Sequence, residues 1–153
     1  MSAQARLTEL GIDLPEPMTP AGLYRSTVRV GDLVFLSGAA PRQPDGSFVT
    51  GKVGGAVSFE AGRAAARLVG LQLLAALQVE LRSLDNVAQV VKLLGMVNCA
   101  PGFNNTPGVI DGCSELLIEV FGEAGRGARS AVGMAELPFD ISVEIEAVVQ
   151  VRG

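Results

Sequence analysis

Histidine does not occur in this chain, and neither does tryptophan. Without an imidazole there is no Ser-His-Asp or Cys-His catalysis, no histidine-ligated metal, and no histidine acid–base pair for cleaving RNA. Lysine is nearly absent too: Lys52 and Lys92 are the only two, far apart in sequence. Together with a formal net charge of −4, this argues against a broad nucleic-acid surface, which needs clustered cations. The two cysteines, Cys99 and Cys113, lack CxxC spacing and any secretory context, so neither a zinc site nor a disulfide framework is indicated. Met1-Ser-Ala-Gln-Ala-Arg6 carries no signal-peptide pattern. The longest apolar run, Leu68 to Leu77 with Gln72 inside it, is too short to span a bilayer. The expectation is a soluble, cytoplasmic protein with no metal, no cofactor, no membrane and no nucleic-acid partner.

What is present is apolar. The 153 residues, the size of one domain, are 48% hydrophobic and 18% charged. That is more apolar than a monomer of this size needs, and it points to surface reserved for an oligomer interface.

In chain order, Gln4 to Leu10 reads as a short helix stopped by Gly11, and Pro15, Pro17 and Pro20 make an extended arm. Residues 1–20 are therefore an N-terminal helix and proline-rich arm, and residues 21–153 a single domain. Tyr24 to Val30 alternates as a strand, Gly31-Asp32 turns, and Leu33 to Leu36 is a more buried strand running into Ser37-Gly38. Pro41 to Gly55 reads as a loop. Ser58 caps a long helix to about Arg82, with an apolar stripe at Ala61, Ala64, Ala65, Leu68, Leu71 and Ala75. Val87 to Val97 is a long apolar strand, and Pro107 opens a second helix bearing Val109, Cys113, Leu116, Leu117 and Val120. Ser130 to Leu137 and Val143 to Val151 read as closing strands joined by Leu137-Pro138-Phe139-Asp140. The order predicts an α+β fold of two layers, with two helices on one face of the sheet. The other face is left for copies of the chain.

The closing segment poses the chemical question. Glu144 and Glu146 point to one face of an otherwise apolar strand, and a carboxylate there is solvated, paired or functional. Arg129 stands at the entry of the preceding strand.

Ala128-Arg-Ser-Ala-Val-Gly-Met-Ala-Glu-Leu-Pro-Phe-Asp-Ile-Ser-Val-Glu-Ile-Glu-Ala147 resembles the C-terminal signature of the Rid (YjgF-type) family, also known as endoribonuclease L-PSP. Gly22-Leu23-Tyr24, Leu36-Ser37-Gly38 and the helix–strand–helix order between agree, so the resemblance covers roughly residues 21–152. It implies a chorismate-mutase-like fold with a mixed sheet, and a homotrimer with ligand clefts between subunits. For the best-studied branch it implies hydrolysis of reactive 2-imino or 2-enamino acids to 2-keto acids and ammonia, the partner being a small carboxylate-bearing metabolite. By motif match Arg129 grips the substrate carboxylate and Glu144 handles water or a proton. Tyr24, Ser37, Gly38 and the backbone at Ala131 fall at pocket positions.

This chain departs from that branch at Leu23, where proline is expected, at Gly127, and at Asp111, where asparagine is expected on the second helix. It resembles a divergent branch. An ionised Asp111 facing the pocket would repel a carboxylate substrate and favour an amine-bearing one. The blander readings stay open: Arg129 paired structurally with Glu144 or Asp111, Asp111 as helix first-turn charge, Tyr24 as rim packing, and Glu146 as a structural or interface group. Alternatives to imine or enamine deamination are a non-catalytic trimeric metabolite-binding protein using the same cleft and, less favoured, a ribonuclease.

Overall fold

A computed structural model describes all of Met1–Gly153. Eight main elements follow in order: α1 (Ala3–Leu10), β1 (Thr27–Val30), β2 (Leu33–Ala39), α2 (Phe59–Leu81), β3 (Val87–Asn98), α3 (Thr106–Phe121), β4 (Ala128–Met134) and β5 (Val143–Val151). The strands form one mixed sheet in the order β1-β2-β5-β3-β4, antiparallel throughout except for the parallel pair β3–β4. The helices lie on one face, as the chorismate-mutase-like reading requires.

Local chemistry explains where the elements start. Ser58 caps α2 by accepting from the Ala61 amide at 3.1 Å. Asn105 caps α3, whose first turn holds Pro107. α1 is not an appendage: Ala3 and Leu7 are buried in the main core, and Arg6 Nε donates to the Glu119 carbonyl at 2.9 Å.

Three expectations change. The closing strands are not a hairpin pair. β3 lies between β4 and β5, so β4 is a sheet edge. The first of them also ends earlier than expected, at Met134, and β1 begins later, at Thr27, which leaves Tyr24 in the arm. The predicted stripe on α2 chose the wrong face. Ala61 and Ala64 are exposed, whereas Gly62, Ala66, Val69, Gly70, Gln72, Leu73, Leu74 and Leu77 are buried beside Ala65 and Ala75. The helix buries two faces, one on the sheet and one on α3, and small residues make the second possible. Gly112 of α3 is so close that a Cβ there would lie 2.0 Å from the Arg63 carbonyl oxygen. As a whole, α2 is long and apolar enough to cross a bilayer, although the short run inside it is not; here its apolar faces are used in the core.

The sheet face away from the helices is apolar and largely open. Met96, Leu137 and Ile141 form a small cluster at one end, while Val28, Val30, Phe35 and Val132 are exposed.

Candidate functional site

Arg129 and Glu144 leave the sheet on opposite sides. Arg129 lies opposite Leu93, a core residue, and its side chain reaches α3. Nη1 donates to Asp111 Oδ1 at 2.6 Å and to Ser114 Oγ at 3.1 Å. Glu144 lies opposite Met96, and its neighbours Val143 and Ile145 are both fully buried under the helices, so Glu144 points to the open face. The two residues that sequence reasoning paired are therefore not beside each other within one chain.

Each has its own cleft. Arg129 lines one of about 560 Å³ between α3 and the start of β4, with Asp111, Ser114, Glu115, Arg126 and Gly127. Glu144 lines one of about 670 Å³ with Tyr24, Gly38, Phe48, Pro138 and Phe139.

The Arg129 cleft is cross-linked. Asp111 bridges two guanidiniums, Arg129 at 2.6 Å and Arg63 at 4.0 Å, and Arg63 also pairs with Glu115. Asp111 is thus held by arginines, and the expected repulsion of a carboxylate is offset at its source. Its effect is to anchor Nη1 from behind, leaving the Nε–Nη2 edge of the planar guanidinium as the edge for a second, bidentate partner. Ser114 was not foreseen. Its signal is position: three residues after Asp111, it falls on the same face of α3.

The Glu144 cleft is built around a glycine. A Cβ at Gly38 would stand 2.4 Å from Glu144 Oε2, so only glycine lets the carboxylate fold against β2 at the irregularity between Leu36 and Ala39. Glu144 is half-buried and enters none of the ion pairs. Loss of hydration on burial, with a smaller contribution from the neighbouring Glu146 charge, raises its pKa above the ordinary glutamate value. Tyr24 is about half exposed, and its hydroxyl accepts from the Ala21 amide at 3.2 Å, fixing the arm that walls the cleft. Glu146 is exposed on the same face beside Lys92, Phe35 and Val28, away from this cleft.

The opposite rim was also missed. Phe139 and Asp140 both take left-handed backbone (φ 56° and 58°), and Phe139 stays exposed. The strained turn is tied down: the Gly51 amide donates to the Asp140 carbonyl at 2.8 Å, and Asn98 Nδ2 donates to Asp140 Oδ1 at 3.1 Å.

The remaining expected residues scatter. Ser37 Oγ donates to the Arg25 carbonyl at 2.6 Å and lines a small chamber next to the Glu144 cleft. Ala131 borders neither cleft, and its carbonyl accepts from Thr106 Oγ1 at 2.9 Å. Cys113 is fully buried, its thiol pushed up to about 12 by burial, as expected of a structural cysteine.

This architecture, read with the chain's likenesses, decides the family. The family model described as "YjgF/chorismate mutase-like, putative endoribonuclease" matches residues 4–145. The chain belongs to the YjgF family. Protein TCP17 of Trypanosoma cruzi is 43% identical over 149 residues, 97% of this chain and 93% of that one. Among solved structures, Atu1372 of Agrobacterium tumefaciens overlays with a TM-score of 0.89 at 39% identity, covering 98% of this chain and 94% of the other. E. coli TdcF, solved with bound serine, overlays at 0.62 with 26% identity, covering 90% and 94%. Within the YjgF family the chain thus fits Atu1372 more closely than TdcF, in keeping with a divergent branch.

Proposed function

We propose that this protein hydrolyses small reactive 2-imino or 2-enamino acids to 2-keto acids and ammonia, in clefts formed between copies of the chain. One observation carries the reading. Arg129 and Glu144 project from opposite faces of the same sheet, each into a separate open cleft, so each cleft has the form of half a site. The exposed apolar face supplies the surface on which copies associate, and a homotrimer of three such clefts fits the family.

The chemistry follows from the two halves. The free edge of Arg129 holds the substrate carboxylate with two parallel hydrogen bonds and fixes the imine carbon. Glu144, whose pKa is raised, retains its proton closer to neutral pH than an ordinary glutamate. It donates that proton to the imine nitrogen and, as carboxylate, takes one from the attacking water. Water adds across C=N, the resulting carbinolamine loses ammonia, and the 2-keto acid remains. The balance needs neither an oxidant nor a metal.

The experiment is hydrolysis of 2-iminobutyrate generated by an amino-acid oxidase, followed with and without the protein. A rate equal to the spontaneous one refutes the reading for that substrate. A second reading, a small-metabolite-binding protein using the same cleft, is favoured by the serine bound in the TdcF structure. It predicts a ligand that raises the melting temperature without turnover. The ribonuclease alternative is disfavoured by the formal net charge of −4 and by the lack of clustered cations, Lys52 and Lys92 being the only two lysines.

A further inference from the structure

Behind the Glu144 cleft lies a chamber of about 70 Å³ between α2, the end of β2 and the arm around Met18 to Tyr24. The two cavities share a wall: Met18, Thr19, Ala21, Tyr24, Gly38 and Ala39 line both. On the α2 side the chamber is lined by Gln72, which is 3% exposed and whose Oε1 finds no donor in the protein. An amide buried to this degree is ordinarily hydrogen-bonded. Apolar residues surround it on its own helix. The rest of the chamber's polar lining is hydroxyl-bearing: Thr19, Tyr24, Ser26 and Ser37, the last with its proton given to the Arg25 carbonyl. No charged side chain lines the chamber.

We propose that this chamber is an inner subsite that takes the uncharged polar end of the ligand, with Gln72 as its hydrogen-bonding terminus. The inference rests on the reading of the Glu144 cleft as the place where the imino group is held. The occupant's chemistry follows from the lining. A second carboxylate or an ammonium would enter a chamber with no counter-charge, whereas an alkyl end would leave the Gln72 amide unsatisfied. The volume is that of about two water molecules, enough for a hydroxymethyl or carboxamide group and too small for a ring. The ligand class is therefore a short 2-imino or 2-keto acid whose side chain ends in a hydroxyl or a carboxamide.

The test uses stable product-like acids, so that it does not depend on turnover. 2-Oxobutanoate and 4-hydroxy-2-oxobutanoate are titrated calorimetrically into the wild-type protein and into Gln72→Met, which keeps the volume and removes the amide. The wild type is expected to bind the hydroxylated acid about tenfold more tightly, and the preference is expected to vanish in Gln72→Met. Should Gln72→Met fail to fold, Ala76→Val narrows the same chamber from the neighbouring turn with Gln72 intact, and the preference is again expected to vanish. Equal affinities in the wild type, a preference surviving either variant, or binding of neither acid overturns the inference; water alone then satisfies Gln72. The parallel 2-iminobutyrate assay separates the two claims. Hydrolysis without a hydroxyl preference keeps the deaminase and removes the subsite. A preference without hydrolysis keeps the subsite as a binding site and removes the deaminase.

Discussion

Two inactive variants should restore each other when mixed. If each site takes Arg129 from one copy and Glu144 from the next, Arg129→Ala and Glu144→Gln chains damage complementary halves. Arg129→Ala removes a charge-assisted hydrogen-bonding edge worth about 1.5–3 kcal/mol, roughly a 10- to 150-fold loss. Glu144→Gln removes the proton carrier, a loss of about 10²- to 10⁴-fold. After joint refolding in equal amounts, each site draws its arginine and its glutamate from neighbours independently. Both are intact in about one quarter of sites, and activity should return to about a quarter of wild type. Selecting mixed assemblies with two affinity tags sharpens the count. In a ring of three, any mixed assembly has one intact site, about a third of wild type; a mixed dimer would give about half. The assay is 2-iminobutyrate hydrolysis above the spontaneous rate, read on the parents, the mixture and the tagged fraction. Proven mixed assemblies no more active than their parents would refute the shared site, and with it the inference drawn from the opposite faces of Arg129 and Glu144.

Four further perturbations follow from the same structure. Gly38→Ala places a Cβ 2.4 Å from Glu144 Oε2, and because the displaced atom ends a flexible side chain, stability should fall by less than about 1 kcal/mol while hydrolysis drops at least about tenfold; unchanged kinetics would deny that Glu144 works in that pose. Gly112→Ala meets the Arg63 carbonyl at 2.0 Å, where nothing flexible can give, and should cost about 3 kcal/mol, lowering the melting temperature by roughly 6–12 °C. Asp111→Ala should raise KM about tenfold with kcat little changed, because the Nη1 anchor of Arg129 is lost, and Asp111→Asn should recover most of it; equal effects of the two would make the role one of charge alone. The raised pKa of Glu144 has a sign. The folded chain holds that proton more tightly than the unfolded one, so stability is lost as pH rises from the ordinary glutamate value through the raised one. Melting curves between about pH 4 and 8 should show Glu144→Gln losing less stability with pH than wild type, and parallel curves would contradict the shift.

Much of the fold was legible because periodicity reports burial. The predicted α3 residues Val109, Cys113, Leu116, Leu117 and Val120 are all buried, and β5 spans Val143–Val151 as read. α2 was misread because it is buried on two sides, so apolar residues fall around most of the helix and a single stripe does not stand out. Gly62, Gly70 and Gly112 carry little hydrophobic signal, yet they set how closely two helices approach. The cleft rim at Phe139-Asp140 was hidden for a related reason: its left-handed backbone falls on residues that do not announce it, whereas glycine would have.

The candidate residues could be named from the sequence, but their arrangement could not. Arg129 and Glu144 lie fifteen positions apart around a proline turn, a spacing that suggests a hairpin and therefore two side chains meeting across it. The inserted β3 undoes that inference, since strand order depends on long-range pairing that no local pattern records. Parity then decides the rest. The parallel register of β4 on β3 sets Arg129 beside Leu93 under the helices, and the antiparallel register of β5 sets Glu144 beside Met96 on the open face. A slip of one residue in either ladder would bring both groups to the same face and allow one chain a complete site. As the strands stand, the fold separates Glu144 from Arg129, and under the proposed reading the exposed Val28, Val30, Phe35 and Val132 mark the face on which another copy would bring the two together.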